Sequence, residues 1–104
     1  MAQSKISATV AGKIDLGPDM PGYELELRNL VLEPGAANGM HSHAQRPGFS
    51  YVLKGILTES MAGGEAVECG PGMVITESRG VTHSVANRGT EPVELLTVHI
   101  KKKR

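Results

Sequence analysis

The sequence predicts an all-β domain, an antiparallel sandwich or barrel, and three features predict this class. Short segments with alternating apolar and polar residues recur along the chain, whereas no stretch shows the period of an amphipathic helix. Thirteen glycines and six prolines punctuate these segments, as expected where many strands reverse direction. The length of 104 residues is that of one domain, which we assign to residues 1–104.

The predicted strands follow one another between turn signals. Tyr23, Leu25 and Leu27 alternate with charged residues, which is typical of a half-buried strand. Residues 29–33 extend this strand. Further strands are predicted at 40–43, 49–59 with a bend or hairpin at Gly55, 65–68 and 93–100. Residues 73–76 and 82–86 are predicted to pair around the turn at 78–80.

Three histidines lie where neighbouring strands can bring them together. His41 and His43 are one residue apart on a predicted strand, so both imidazoles project from the same face. His83, on a later strand, adds a third imidazole. Three such ligands suit a divalent metal and leave coordination positions open for water or a substrate. The pattern indicates a site for iron, zinc, nickel or manganese, although isolated histidines are more often structural.

The residues around these histidines resemble the two signature motifs of the cupin superfamily. The first segment reads GAANGMHSHAQRPGFSYVLKG from Gly35, and the second reads GMVITESRGVTHSVAN from Gly72. The positions in register with the motifs are Gly35, His41, His43, Gly55, Gly72, Gly80, His83 and Asn87. The resemblance covers the central part of the chain and implies a small single-domain cupin, a jelly-roll barrel of two packed antiparallel sheets.

The sequence departs from the cupin motifs at two positions. Gly48 stands where the family usually has a metal-binding glutamate, and Ser78 stands where it has a proline. The expected carboxylate ligand is therefore missing from its usual place. If Gly48 faces the metal, the space is vacant, and the substitution Gly48→Glu should tighten divalent metal binding. Gln45 continues the alternation of the histidine pair and could offer its carbonyl oxygen as a fourth ligand. A water molecule is the simpler alternative.

Four residues are candidates for contact with a small-molecule ligand. If position 48 points inward, as the resemblance implies, Ser50 and Val52 also point inward, because alternate residues of a strand share a face. Arg46 could bind a carboxylate of the substrate or form a structural salt bridge with Glu77. Glu77 is expected at the cavity rim as a surface carboxylate, a metal ligand or a general base.

The same strand phase directs Phe49, Tyr51 and Leu53 outward. Three large apolar side chains on one exposed stripe are costly in water, so the stripe should be covered. The N-terminal segment could cover it, and the alternative is a second subunit in a twofold homodimer.

Composition excludes several classes of function. Eleven basic and eleven acidic residues cancel, so no net field favours nucleic acid or an anionic membrane. The only basic run, residues 101–104, is expected to be a solvated tail. No apolar run reaches membrane-spanning length and no export signal is visible, which predicts a cytoplasmic protein, or a periplasmic one if such a signal has been removed. His99 and the sole cysteine, Cys69, lie outside the motif positions and are expected to be structural.

Three functions fit these features. The first is a metal-dependent enzyme, oxygenase-like or isomerase-like, that acts on a small molecule. The second is a non-catalytic module that binds or senses a small molecule, and the third is a structural dimer with a vestigial site. The resemblance alone cannot choose, because one fold hosts many functions. The enzyme is the favoured hypothesis.

Overall fold

The structure, a computed structural model, describes residues 5–104. Within that range every regular element is a β-strand, and no helix is long and apolar enough to cross a membrane. The strands are β1 (Ile6–Asp15), β2 (Tyr23–Leu32), β3 (Ala37–Ser42), β4 (Gly48–Lys54), β5 (Leu57–Met61), β6 (Ala66–Cys69), β7 (Val74–Glu77), β8 (Thr82–Ala86) and β9 (Val93–Lys102).

The strands pair into two antiparallel sheets. The larger sheet has the order β1-β2-β9-β4-β7, and the smaller has the order β3-β8-β5-β6. Most neighbours in each sheet are distant in sequence, so the chain crosses repeatedly from one sheet to the other. The predicted all-β class and jelly-roll architecture are confirmed.

One detail of the predicted strand pairing is wrong, and one alternative is resolved. β7 and β8 do not pair around the turn at 78–80, because β7 pairs with β4 in the larger sheet and β8 pairs with β3 and β5 in the smaller. The segment 49–59 has a bend at Gly55, as one of the two alternatives predicted, and not a hairpin, because the chain passes there from β4 to β5 and so changes sheet. Gly55 has a φ of 81°, and a Cβ there would lie 2.6 Å from the carbonyl oxygen of Pro92, so this crossing requires glycine.

β1 has no counterpart among the predicted strands. It lies at the edge of the larger sheet, where only β2 pairs with it, and most of its residues are exposed. An edge strand that buries little needs no strict alternation of apolar and polar residues. The backbone register with β2, interrupted by a bulge between Val10 and Gly12, holds it in place instead.

The phase predicted for β4 is confirmed. Ser50 and Val52 are buried, whereas Phe49, Tyr51 and Leu53 are exposed on the outer face. β9 has the same alternation, and its inward residues are Val93, Leu95, Thr97, His99 and Lys101. Lys101 is therefore buried and hydrogen-bonded to Glu24, which corrects the expectation that residues 101–104 form a solvated tail.

The inner face of the larger sheet changes character along its strands. At one end, which we call the polar end, the inward residues include Glu24, Glu26, Glu77, His99 and Lys101. At the other, the apolar end, they include Leu32, Val52, Val93 and Leu95. The apolar end belongs to the hydrophobic core, to which Ala36, Leu57, Cys69 and Ile75 also contribute. The alternation predicted in β2 is thus present, but its buried face begins with Glu24 and Glu26 and only later becomes apolar.

Candidate metal centre

Adjacent strands of the smaller sheet bring the three predicted histidines together. His41 on β3 is paired in register with His83 on β8, and His43 follows directly after β3. One nitrogen from each of the three imidazoles lies within 4.8 Å of the others. His43 and His83 are buried, and His41 is partly exposed at the cavity. The predicted convergence of the three side chains is therefore observed.

The Nδ1 atom of each of the three imidazoles lies beside a hydrogen-bond acceptor. His41 Nδ1 lies 2.7 Å from the carbonyl oxygen of Gly39, and His43 Nδ1 lies 2.9 Å from that of Arg46. His83 Nδ1 lies 2.7 Å from a carboxylate oxygen of Glu59. Because an acceptor requires a donor, each Nδ1 carries the hydrogen, and each neutral imidazole then has its lone pair on Nε2.

Two of these Nε2 atoms face each other and a carboxylate at short range. His43 Nε2 lies 3.0 Å from His83 Nε2. The Oε2 atom of Glu77 lies 3.4 Å from the first nitrogen and 3.3 Å from the second. Lone pairs and an anionic oxygen this close repel one another unless a proton or a cation lies between them.

Glu77 is buried, with 4% of its surface exposed, so the first of its three predicted roles, a surface carboxylate, is wrong. Its other oxygen, Oε1, accepts hydrogen bonds from His99 Nε2 at 2.8 Å and from Ser50 Oγ at 3.0 Å. These two donors leave Oε2 directed at the histidines. His99, predicted to be structural, is indeed hydrogen-bonded, but its bond orients a carboxylate of the cluster.

Gly48 explains how a glutamate on β7 can occupy this place. Gly48 lies between Glu77 on one neighbouring strand and His99 on the other. A Cβ at position 48 would lie 1.9 Å from the carbonyl oxygen of Val98 and 2.9 Å from the Cα of His99. The vacant space that the sequence suggested at position 48 is therefore absent, and a glutamate introduced there would displace the backbone of β9.

Comparison with known proteins agrees with this geometry. The family model described as cupin domain matches residues 29–99. This chain belongs to the cupin family. The match includes all three predicted histidines, Glu77 and His99. A search of curated protein sequences finds no match.

Several solved structures share the fold of this cupin. A cupin 2 conserved barrel domain protein from Salinispora arenicola is 20% identical, with a TM-score of 0.71 over 90% of this chain and 74% of that one. A cupin domain from Bordetella pertussis is 21% identical, with a TM-score of 0.69 over 97% and 98%. A predicted oxalate decarboxylase from Thermotoga maritima is 25% identical, with a TM-score of 0.64 over 86% and 90%.

The electrostatics of the cluster couple Glu77 to the histidines. Burial raises the pKa of Glu77, but hydrogen bonds with His83 and His99 and the charge of His43 lower it more, so its pKa lies well below the ordinary value. The hydrogen bond with Glu77 raises the pKa of His83 despite burial, and Glu59 raises it further. Burial lowers the pKa of His43. Glu77 therefore stays anionic, and a proton on His83, when present, is held more tightly than on an ordinary histidine.

The residues of this cupin fit a divalent cation. Two ligand atoms that are each about 2.1 Å from one ion, at an angle between right and tetrahedral, lie roughly 3.0–3.4 Å apart. The separations among His43 Nε2, His83 Nε2 and Glu77 Oε2 fall in this range. Imidazole nitrogens with a carboxylate oxygen form a donor set used for zinc, iron, manganese and nickel. The chain thus has a histidine and glutamate group that could hold a metal ion.

Of the other residues predicted at the site, some line the cavity and some do not. Gln45 is exposed in the turn after His43 and does not line the cavity. Val52 points inward as predicted, but it is fully buried in the core and does not line the cavity either. Arg46, Ser50 and Glu77 do line it. Arg46 forms no ion pair with Glu77 among residues 5–104.

Three polar residues of the site were missed from the sequence. Glu59 on β5, Arg28 on β2 and Thr97 on β9 all lie away from the histidine positions of the two motifs. Arg28 and Thr97 are directly paired across β2 and β9 and line the cavity. The inward phase of Thr97 was available from its spacing to His99, but the pairing of β2 with β9 was not.

Proposed function

We propose that this cupin binds one divalent metal ion through Nε2 of His41, His43 and His83 and Oε2 of Glu77. The observation that supports this most is the common tautomer of the three histidines, because each Nδ1 is tied to an acceptor and each Nε2 lone pair is directed inward. Structural histidines have no need to converge in this way. Glu77 supplies the carboxylate that the cupin motif usually takes from the position of Gly48.

The residues around the ligands prepare this site. Glu59 holds the ring of His83, and Ser50 and His99 together hold Glu77, so the ligand atoms keep their directions. Bound there, the metal would act as a Lewis acid and a binding point for substrate oxygen atoms or dioxygen. A cavity of about 280 Å³ extends from His41 and His43 to the apolar side chains of Leu57 and Leu95. That space suits a small molecule.

The enzymatic function that we favour is a metal-dependent reaction on such a small molecule, of the oxygenase or isomerase type. It is tested by elemental analysis of protein purified without added metal, followed by oxygen-consumption and product assays with small aromatic and thiol compounds. We expect iron, zinc, nickel or manganese at one ion per chain and turnover that the variant His83→Ala lacks. Protein that takes up none of these ions would contradict the metal centre.

A non-catalytic module that binds a small molecule is the second candidate. The cavity favours it as much as the enzyme, since lining residues alone do not show turnover. Saturable binding of a ligand without product, in protein loaded with each of the four metals in turn, would favour this candidate. A site that binds neither metal nor ligand would leave only the vestigial, structural dimer.

We propose in addition that a second copy of the chain covers the outer face of the larger sheet. Phe49 and Val74 on this face are 50% and 54% exposed. An apolar groove of about 500 Å³ lies beside them, lined by Leu25, Val98 and Ile100 among others. This face has apolar side chains and few charged groups, so it offers little to a charged partner. A twofold axis would pair the face with the same face of a second copy. Sedimentation should give a dimer for the native chain and a monomer for Phe49→Glu; a native monomer would refute it.

A further inference from the structure

The buried polar atoms that lack a hydrogen-bond partner belong to residues that line the cavity beside the histidine cluster. Among residues 5–104, three buried side-chain atoms have no hydrogen-bond partner: Arg28 Nε, Arg46 Nε and Thr97 Oγ1. All three residues line the same cavity. Buried donors are rarely left unpaired, so three of them in one place indicate a missing acceptor.

The two arginines place excess positive charge in this cavity. Arg28 Nε lies 3.6 Å from Glu26, but Glu26 also lies within 3.9 Å of Lys13 and 3.8 Å of Lys101, which share its charge. Arg46 forms no ion pair within the described part of the chain. Burial lowers the pKa of Arg28 and the charge of Arg46 lowers it further, whereas the charges of Glu26 and Glu77 raise it. Among the residues that the structure describes, the lining has two guanidinium groups and one carboxylate, that of Glu77, so positive charge is in excess.

The rest of the lining limits what the missing acceptor can be. Leu30, Leu57, Val85 and Leu95 form an apolar wall. Among residues 5–104 the lining includes no lysine, and the charged donors are the planar guanidinium groups, whose geometry matches a carboxylate better than it matches a tetrahedral anion. A volume of about 280 Å³ allows only a few carbon atoms beyond that group.

We propose that the cavity binds a small aliphatic carboxylate, whose carboxylate group is held by Arg28, Arg46 and the hydroxyl of Thr97. The carbon chain of the ligand lies against the apolar wall. This inference rests on the proposed metal centre for one feature only, which is that a second oxygen of the ligand is directed toward His41 and His43. The carboxylate contact itself requires no metal.

The test measures binding of malonate, pyruvate and succinate by calorimetry, in metal-free and in Co²⁺-loaded protein. Malonamide is the uncharged control, and inorganic phosphate is the tetrahedral anion. Arg28→Gln and Arg46→Gln should each weaken carboxylate binding about 10- to 100-fold, the usual cost of a lost charged hydrogen bond. Arg88→Gln, which removes an exposed arginine that does not line the cavity, should have no effect. All variants should keep the native circular dichroism and Co²⁺ affinity.

The outcomes separate this inference from the metal centre. Co²⁺ binding without binding of any of the three carboxylates would overturn the inference and leave the metal centre intact. Arginine-dependent carboxylate binding without Co²⁺ binding would support the inference and refute the metal centre. Equal affinity for malonate and malonamide, or tighter binding of phosphate than of any carboxylate, would also overturn it. If Arg28→Gln fails to fold, Arg46→Gln decides the question, because Arg46 lies outside the strands, between β3 and β4.

Discussion

The polar and apolar ends of the barrel interior are built from the same strands with the same alternation. On β9, Leu95 and His99 both point inward, four residues apart, yet one packs in the hydrophobic core and the other bonds Glu77. β2 changes in the same way between Glu26 and Leu30. Alternation therefore determines which face a residue occupies, whereas the residue type along that face determines whether the interior is a core or a site.

The two ends are stabilised by different interactions. At the apolar end, burial of side chains such as Leu32 and Val52 removes hydrocarbon from water. At the polar end, buried charges are matched by opposite charges, as in the pairing of Glu24 with Lys13 and Lys101. The attraction within a buried ion pair offsets only part of the free energy lost by desolvation, so this end contributes specificity more than stability. Mutations at the two ends should accordingly change different measured quantities.

The largest effect is expected at the apolar end. Leu32→Ala should lower the free energy of unfolding by about 2–5 kcal/mol, because Leu32 is completely buried and the lost side chain leaves a cavity. Urea denaturation measures the loss. The folded variant should keep its affinity for Co²⁺, since Leu32 does not line the cavity. A large loss of metal affinity would mean that the two ends are not independent.

Gly48 lies at the polar end, where close packing and the site depend on each other. Gly48→Ala should destabilise the fold by about 3 kcal/mol, because its Cβ meets the backbone of β9 and the strands must separate. It should also weaken Co²⁺ binding by displacing His99 and Glu77. Gly12→Ala, on β1 with open space around the new Cβ, is the matched control and should change neither quantity appreciably. Equal stability of the two variants would contradict the close approach.

Glu59, on β5 of the smaller sheet, tests the histidine cluster without removing a proposed ligand. Glu59→Gln keeps the shape of the side chain but loses the charge that holds His83 Nδ1, so we expect Co²⁺ affinity to fall about 10- to 100-fold. Glu68→Gln, an exposed change on the neighbouring strand, should leave affinity unchanged. If Glu59→Gln has native affinity, the tautomer of His83 is not fixed by Glu59.

The smallest effect is a shift in pH dependence. The pKa of His83 is raised, so its proton is lost only above the ordinary histidine range near pH ~6.5. Below that raised pKa, metal binding must release the proton, so Co²⁺ affinity should decline with falling pH from above ~6.5. In Glu59→Gln the decline should begin at lower pH, because one cause of the raised pKa is gone. Calorimetric titrations in a pH series measure this, and identical profiles would contradict the assignment.

The sequence predicted the parts of the site that local spacing determines. The shared face of His41 and His43, the third histidine His83 and the inward phase of Ser50 all follow from strand alternation and the cupin motifs. Glu77 could not be assigned, because its role depends on the pairing of β7 with β4 and on a glycine at position 48. Arg28 likewise requires knowing that β2 lies beside β9. Long-range strand pairing is the information that alternation does not contain.

The most direct test of the metal centre is a Co²⁺ titration of metal-stripped protein, followed by absorption spectroscopy. The native chain should bind one Co²⁺ per chain with visible bands typical of nitrogen and oxygen ligands. His83→Ala and Glu77→Gln should each weaken binding by about tenfold or more while keeping a folded barrel, as judged by circular dichroism. A native chain that binds no Co²⁺, or the same affinity in all three proteins, would contradict a metal held by these histidines and Glu77.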